Sequence, residues 1–377
     1  MKLAHISDLH IGKRVNGFSM LEEQADILKK ISKIAVAEEC TALLIAGDIY
    51  DKAVPSAEAV SLFDEFITEL SGQNIAVLAI SGNHDSPERI AFASRLLGKS
   101  GVHMSPVFDG EAKPICLSDE FGSVFVYLLP FVRPVHVRSV FPEAKIESYT
   151  DAVRCAVENM QIDTSQRNIL VAHQFVTGAV RCDSEDISVG GLDNVDASVF
   201  SDFDYTALGH IHSPQNACGE LVRYCGTPLK YSFSEAGDKK SVTVIELREK
   251  GSVSVSTVTL EPLRELREIR GSYDELTRLE SYTGSNTADY IRATLLDEEE
   301  IPDAIGRLRA IYPNIMQLVY DNRRTRTTQE ISAAEDTGRK TPLELFEELY
   351  FMQNNSEMSD EQRSLSQLLI EKTFTAG

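Results

Sequence analysis

Five short apolar segments of this sequence each run directly into an Asp, Asn or His residue. In the stretch LLIAGDIYD at Leu43–Asp51, the apolar residues predict a buried strand, Gly47 ends it, and Asp48 follows. Open α/β sheets place their ligands at the carboxyl ends of strands, so five such ends indicate one shared edge. The pattern predicts a metal site along that edge. The polar residues that follow the five predicted strands are Asp8 and His10; Asp48; Asn83 and His84; His173; and His210 and His212.

The side chains at these strand ends have the chemistry of metal ligands. Asp8 and His10 are two residues apart, so both can project to the same side of the chain. Carboxylate and imidazole together suit Mn²⁺, Fe or Zn, and Asp48 is a carboxylate that can bridge two cations. Five of the eight histidines fall at strand ends. The other three, for which we expect structural or surface roles, are His5, His103 and His136.

The charge balance limits how this chain could bind nucleic acid. Its 377 residues carry a formal net charge of -21, so no overall field attracts a polyanion. A DNA-binding protein of this composition needs a local basic groove, bound cations that offset the charge, or a partner that supplies the grip. The charge therefore argues mildly against a free-standing DNA binder, but it does not exclude a nuclease whose site holds cations.

Cysteine usage and the N-terminal stretch predict a cytoplasmic protein. The six cysteines are scattered without a CxxC pair, as expected for small core residues in a reducing compartment. The stretch MKLAHISDLH carries charge too early for a signal peptide. No stretch approaches the roughly 18 apolar residues that are needed to cross a membrane. We expect no membrane association.

The order of predicted elements indicates an α/β fold with a layered sandwich. Up to about Pro262, strands alternate with helices, among them Leu21–Glu39, Ala57–Leu70, Arg89–Leu97 and Asp151–Met160. A small β-α-β-α-β pattern follows, and then a polar segment and two amphipathic helices. The predicted divisions are residues 1–262, the main domain; 263–322, a small α/β domain; 323–340, a linker; and 341–377, a helical tail.

Taken in order, the motifs DLH, GDIYD, GNHD, a lone His after a strand and GHIH resemble the calcineurin-like metallophosphoesterase superfamily. Three longer stretches are similar to the bacterial SbcD nuclease subunits, relatives of the eukaryotic and archaeal Mre nucleases. They are HISDLHIGKR at the start, LLPFVRP at Leu128–Pro134 and GTPLKYSFSE at Gly226–Glu235. The resemblance covers nearly the whole chain. It implies a metallophosphoesterase β-sandwich flanked by helices, with a small α/β capping domain and a C-terminal helical tail.

The resemblance also implies a pair of cations, two Mn²⁺, with Mg²⁺ or another divalent ion as the alternative. Two cations that share a carboxylate form a clamp for phosphoryl transfer. The implied ligands are Asp8, His10, Asp48 and His212 for the first cation, and Asp48, Asn83, His173 and His210 for the second.

A second set of residues is implied to act on the leaving group. By the resemblance, His84 is a general acid that protonates the leaving 3′ oxygen, and Asp51 holds its other nitrogen. Asp85 could instead orient the loop. For both Asp51 and Asp85 the alternative role is turn capping.

Basic residues beside the motifs are the predicted contacts to DNA. Many phosphomonoesterases of the superfamily have Arg-Gly after the second aspartate, whereas Lys52-Ala53 follows Asp51 here, as a diester substrate would allow. We predict that Lys13, Arg14, Lys52 and Arg89 contact the DNA backbone. The alternative for each is ordinary surface solvation.

The leading hypothesis is a Mn-dependent DNA nuclease subunit of an SbcCD-type complex. The resemblance implies 3′→5′ exonuclease action on duplex ends and endonuclease action on single strands or hairpins. It implies an SbcC-type coiled-coil ATPase bound through residues 341–372, although the tail could equally pack back on the body.

A homodimer within a heterotetramer is also implied, formed through Ala57–Leu70 and Arg89–Leu97, whose alternative role is core packing. The runner-up is a stand-alone phosphodiesterase that acts on small phosphodiesters. A non-catalytic subunit that clamps DNA ends ranks last, because no ligand is missing.

Overall fold

The computed structural model describes most of the chain. Its described residues are 1–111, 113–182, 184–185, 193–322, 343, 346–347, 350, 358–359, 362–363 and 365–366. The predicted linker at 323–340 and most of the predicted tail at 341–377 lie outside the described residues, so both stay predictions.

The chain forms two compact units. The larger unit holds both large sheets and every predicted site residue. The segments of the larger unit are Met1–Arg270, Asp274–Ala293 and Asp303–Leu318; those of the smaller are Gly271–Tyr273, Thr294–Pro302 and the described residues from Val319 onward.

The first six-stranded sheet contains three of the five predicted strands. In spatial order its strands are β14 (Val253–Thr259), β13 (Ser241–Leu247), β1 (Lys2–Ile6), β4 (Ala42–Ala46), β5 (Ala76–Ile80) and β6 (Val102–Met104). The strands β1, β4, β5 and β6 pair in parallel, whereas β13 is antiparallel to both of its neighbours. The carboxyl ends of β1, β4 and β5 therefore meet at one edge.

The second six-stranded sheet contains the other two predicted strands. In spatial order its strands are β11 (Gln215–Cys218), β12 (Val222–Tyr224), β10 (Tyr205–Gly209), β9 (Arg167–His173), β8 (Gly122–Leu129) and β7 (Ile115–Asp119). The central strands β12, β10, β9 and β8 are parallel, and the two edge strands are antiparallel to them. As a result β9 and β10 also end side by side, but in a second sheet. The single shared edge expected from the sequence is therefore wrong, because the five strand ends belong to two sheets.

The two sheets pack face to face, and helices cover their outer faces. Because both faces of the central strands are buried, these strands are continuous apolar runs rather than alternating ones. Side chains between the sheets include Leu3, Leu44, Leu78, Val126, Ile169, Val171 and Ile245. Two further cores lie outside the sheets, one under the helices that precede β4 and β5 and the other under those that precede β9. The predicted α/β sandwich is confirmed.

Serine side chains cap the start of some helices. Ser56 accepts a hydrogen bond from the Ala59 amide at the start of one helix, and Ser148 forms a capping box with Asp151 at another. The helices of the main domain are α1 (Leu21–Ala37), α2 (Ala57–Gly72), α3 (Pro87–Ile90), α4 (Ser94–Leu97), α5 (Pro134–Val140) and α6 (Tyr149–Glu158). A small hairpin, β2 (Arg14–Val15) and β3 (Phe18–Ser19), precedes α1.

One predicted helix is wrong. The single helix predicted over Arg89–Leu97 is two short helices, α3 and α4, separated by Ala93 in the left-handed region at φ 58°. Left-handed backbone cannot continue a right-handed helix. Apolar spacing alone does not reveal such a break.

The predicted small β-α-β-α-β pattern forms a three-stranded sheet. Its strands, in the order in which they pair, are β15 (Leu266–Gly271), β16 (Tyr290–Leu295) and β17 (Ile315–Tyr320). Its helices are α7 (Tyr273–Thr277), α8 (Leu279–Tyr282) and α9 (Ala304–Arg309). The predicted domain boundaries are not tested by this arrangement and stay predictions.

Among the described residues, every helix is too short or too polar to span a lipid bilayer.

The intersheet core gives a direct test of the sandwich. Replacing Leu44 by Ala should lower the free energy of unfolding by about 2–5 kcal/mol, because this fully buried side chain leaves a cavity between the sheets. The matched control is Val54→Ala, whose side chain is 68% exposed. It should change the free energy by no more than about 0.5 kcal/mol. Urea denaturation of both variants measures the difference, and equal effects would contradict this core.

Candidate metal centre

The structure brings the predicted ligands together on unusual backbone. Asp8, His10, Asp48 and His210 all have positive φ, at 53°, 44°, 49° and 98°. Non-glycine residues rarely adopt this region. Each such residue costs about 1–3 kcal/mol and persists only where its surroundings hold it there. Backbone hydrogen bonds hold it here: the Asp8 amide donates to the Gly47 carbonyl and the His10 amide to the Asp48 carbonyl, both at 3.0 Å.

Glycines let the strand ends approach one another. A Cβ on Gly82 would overlap with the carboxylate of Asp48 and lie 2.5 Å from its backbone nitrogen. A Cβ on Gly209 would overlap with the carbonyl oxygen of Ala46. These glycines directly precede Asn83 and His210. In each Gly-Asn or Gly-His pair, the glycine allows the close approach of the backbones and the next residue is the ligand candidate.

One group of ligand atoms surrounds the amide oxygen of Asn83. His173 Nε2 and His210 Nδ1 each lie 3.0 Å from Asn83 Oδ1, and His173 Nε2 lies 3.4 Å from Asp48 Oδ2. These four side chains come from the carboxyl ends of β4, β5, β9 and β10, and they are the four implied ligands of the second cation.

A second group surrounds His10. His10 Nε2 lies 3.2 Å from His212 Nε2 and 3.8 Å from Asp48 Oδ2. Asp8, His10 and His212 each present a ligand atom within 4.8 Å of the others. Both carboxylate oxygens of Asp8 accept the His210 amide at 3.1 Å, which ties the two groups together.

The donor set fits divalent cations. His173 Nδ1 lies 2.8 Å from the Ala46 carbonyl, which can only accept, so Nδ1 carries a proton and Nε2 faces Asp48 and Asn83. Buried nitrogens and oxygens that converge on one another repel unless a proton or a cation lies among them. Imidazole, carboxylate and amide oxygen together suit the Mn²⁺, Fe and Zn class.

Burial and the Asp48 carboxylate determine the protonation of the site. Burial lowers the pKa of His10, His210 and His212 well below the usual value, so all three are neutral and available as ligands. Burial also lowers that of His173, but the charge of Asp48 outweighs it and raises the pKa to about 9. Burial, with the charge of Asp48, raises the pKa of Asp8 to about 7.

His84 lies at the entrance to this centre. Its side chain is 22% exposed, its Nε2 lies 3.9 Å from Asp48 Oδ2, and its amide donates to Asp48 Oδ1 at 2.9 Å. Its Nδ1 lies 3.2 Å from the backbone carbonyl of Asp51, whereas the Asp51 carboxylate binds Lys13 Nζ at 2.9 Å. Asp51 contacts His84 through its backbone carbonyl, and its carboxylate pairs with Lys13.

The predicted DNA-binding cations differ in availability. Lys13 is held in its ion pair with Asp51, and Arg14, which is exposed, contacts the Gly17 carbonyl. Lys52 and Arg89 are exposed.

Arg133 is a cation near the site that sequence reasoning missed. Arg133 is exposed, and its guanidinium lies 5.7 Å from the centre of the Phe131 ring. That ring lies 6.1 Å from His173 and 6.4 Å from His210. The stretch LLPFVRP contains both residues, but nothing in it indicates that it ends beside the metal centre.

Two further side chains fix the ligand loops. Asp85 accepts the amides of Ile49, Tyr50 and Gly82 at 2.9–3.0 Å, as its alternative loop-orienting role requires. Gln24 of α1 donates to the His10 carbonyl at 2.7 Å. The only sign of Gln24 in the sequence is that it is a polar residue on the apolar face of a helix.

The profile of the calcineurin-like phosphoesterase family matches residues 1–214, more than half of the chain. The SbcD subunit of the SbcCD nuclease of Staphylococcus epidermidis is 33% identical over 343 residues, which cover 89% of this chain and 90% of that protein. The chain belongs to the SbcD family of calcineurin-like phosphoesterases. Like other calcineurin-like phosphoesterases, this SbcD-family chain is a metal-dependent enzyme.

A second relative and a second profile agree with this assignment. The protein of the same name from Staphylococcus saprophyticus is 32% identical over 322 residues, 84% of each chain. A second profile, described as the type 5 capsule protein repressor C-terminal domain, matches residues 262–354 of this SbcD-family chain. A crystal structure of a dimetal phosphatase from Danio rerio aligns with a TM-score of 0.38 and 11% identity, over 69% of this chain and 99% of that one. A score this low supports no argument.

The close approach of Gly82 to Asp48 predicts that an uncharged substitution at Gly82 weakens metal binding. Gly82→Ala should weaken Mn²⁺ binding about 10- to 100-fold, because the added methyl displaces Asp48. The control is Gly237→Ala, where an added Cβ meets nothing within 4 Å. Isothermal titration calorimetry measures both affinities, and wild-type affinity in the Gly82 variant would rule out this close approach.

The protonation of the site predicts that metal binding releases protons. At pH 7 His173 carries a second proton, on Nε2, since its pKa is about 9. It must lose this second proton to coordinate a cation. Metal affinity should therefore rise between pH 7 and 9, by up to about tenfold per unit for each proton released. Titrations in two buffers of different ionisation enthalpy count these protons. Identical heats in both buffers would contradict the prediction.

Proposed function

We propose that this chain is the nuclease subunit of an SbcCD-type complex that processes DNA ends, with two Mn²⁺ ions in its centre. The observation that carries the proposal is the pair of ligand groups on either side of Asp48, in a chain that aligns along 90% of a protein named as the SbcD subunit of an SbcCD nuclease. The proposed activities are 3′→5′ exonuclease action on duplex ends and endonuclease action on single strands and hairpins.

The proposed ligands divide into two sets that share Asp48. Asp8, His10, Asp48 and His212 would hold one cation, and Asp48, Asn83, His173 and His210 the other. Cations in these sites would neutralise the phosphodiester and lower the pKa of the attacking water. The remaining steps rest on residues of this chain.

His84 is the proposed general acid. Its Nδ1–H donates to the Asp51 carbonyl, which directs Nε2 toward the centre. With a second proton on Nε2, the imidazolium passes that proton to the leaving 3′ oxygen as the P–O bond breaks, and neutral imidazole remains. Partial exposure of His84 allows it to regain a proton from solvent.

The proposed DNA contacts are exposed cations around the centre. Arg133 lies beside the ligands of the second cation, and Arg14, Lys52 and Arg89 are exposed. Lys13 would have to leave its ion pair with Asp51 to contact DNA. With a chain charge of -21, these local cations and the metals would have to supply the attraction.

The proposed assembly is a homodimer bound to two SbcC-type ATPase subunits in the cytoplasm. Phe92, between α3 and α4, is 79% exposed, and Leu96, on α4, is 70% exposed. These exposed apolar side chains support a dimer contact there. Phe63 and Phe66 of α2 are instead buried in the core, so they pack within the chain. The ATPase would bind residues 341–372, most of which lie outside the described residues.

Separating acid catalysis from metal binding tests the proposed mechanism. His84→Ala should lower the rate of Mn²⁺-dependent DNA cleavage about 10²- to 10⁴-fold while the metal content stays at the wild-type level. Asp48→Asn should reduce both. His103→Ala is the control, because this histidine lies away from the centre, on β6.

The substrate that is cleaved distinguishes the proposed nuclease from a stand-alone phosphodiesterase. End-labelled duplex DNA and bis-p-nitrophenyl phosphate are compared, each with and without an added SbcC-type ATPase. DNA cleavage that Asp48→Asn abolishes supports the nuclease. Hydrolysis of the small diester alone, even with the ATPase present, would identify a stand-alone phosphodiesterase.

A further inference from the structure

The stretch Gly226–Glu235 lies directly behind the metal centre. Tyr231 donates its hydroxyl to the Leu9 carbonyl at 2.5 Å, and its ring lies 5.8 Å from that of His10. Glu235 has no solvent exposure. The proposed reaction assigns no role to this stretch, although the sequence marked it as distinctive.

The backbone of His212 is fixed on both sides. Its amide donates to Glu185 Oε1 at 2.7 Å. Its carbonyl accepts the Lys240 ammonium at 2.8 Å and the Thr227 amide at 3.0 Å. These contacts fix the position of the His212 backbone, but they do not determine which imidazole nitrogen carries the proton.

The proton position follows from two short hydrogen bonds. Ser184 Oγ lies 2.6 Å from His212 Nδ1 and 2.6 Å from Glu235 Oε1. A hydroxyl has one proton, and a carboxylate can only accept, so Ser184 donates to Glu235 and accepts from His212. Nδ1 therefore carries the proton, and the lone pair of Nε2 points toward His10 Nε2, 3.2 Å away.

Lys240 pairs with the other carboxylate oxygen of Glu235. Its ammonium lies 2.6 Å from Glu235 Oε2, and both side chains are nearly inaccessible to solvent. Thr227 also donates to Glu235 Oε2, at 3.2 Å. A buried ion pair adds little net stability, because desolvation offsets the Coulombic attraction. Stability alone therefore does not explain a charged pair at this position.

We propose that Ser184, Glu235 and Lys240 are positioning residues that hold His212 in its Nδ1–H tautomer and present Nε2 to the metal centre. The proposal rests on the proposed function only in that His212 is a ligand. It gives the stretch Gly226–Glu235 a role: Glu235 orients His212 through the Ser184 hydroxyl, as carboxylates commonly orient ligating histidines.

The test compares Ser184→Ala, Ser184→Thr and the surface control Ser254→Ala in the full-length chain. Nuclear magnetic resonance of ¹⁵N-histidine-labelled, metal-free protein reports the tautomer, and calorimetry with Mn²⁺ alone reports affinity. Ser184→Ala should mix the His212 tautomers and weaken one of the two Mn²⁺ binding events about 10- to 100-fold. Ser184→Thr, which keeps a hydroxyl, should restore both, and Ser254→Ala should change neither.

Two results would overturn the proposal. One is wild-type Mn²⁺ affinity in Ser184→Ala. The other is a lowered melting temperature with an unchanged tautomer, which would show a merely structural role. If the wild-type protein binds no Mn²⁺ but shows the expected tautomer shift in the variant, the network is supported and the proposed metal centre fails instead.

Discussion

The close approach of two sheets at their carboxyl edges is the constraint on which the rest of the structure depends. The end of β4 meets the end of β10 so closely that Gly209 has no room for a Cβ beside the Ala46 carbonyl. Gly82 is limited in the same way by Asp48. Only because these backbones touch can side chains from different strands converge on the same few ångströms.

This constraint explains how much the sequence could predict. The ligand candidates could be found because each follows an apolar strand, and α/β folds place their ligands at the carboxyl ends of such strands. The division of these strand ends between two sheets could not be predicted from the apolar runs. The sandwich could be predicted because its strands are apolar on both faces. Neither step required knowledge of which residues lie far apart in sequence but touch in the fold.

The supporting residues that the sequence did not reveal depend on contacts between distant parts of the chain. Ser184 binds Glu235 across 51 residues, and Gln24 reaches Tyr231 across 207. No local pattern shows that a serine in a loop will meet a buried carboxylate. The break at Ala93 was missed for a different reason, because alanine is an ordinary helix former and its left-handed backbone is imposed by the surrounding fold.

The left-handed backbone at Asp8, His10, Asp48 and His210 has a consequence for how this site can change. Asp, Asn and His tolerate that region better than most residues, and they are also metal ligands. The same short list of amino acids thus satisfies both the loop geometry and the coordination chemistry. A glycine at one of these positions would relieve strain and remove a ligand at once. Selection for stability alone would therefore favour the loss of these proposed ligands, and selection for activity would have to retain them.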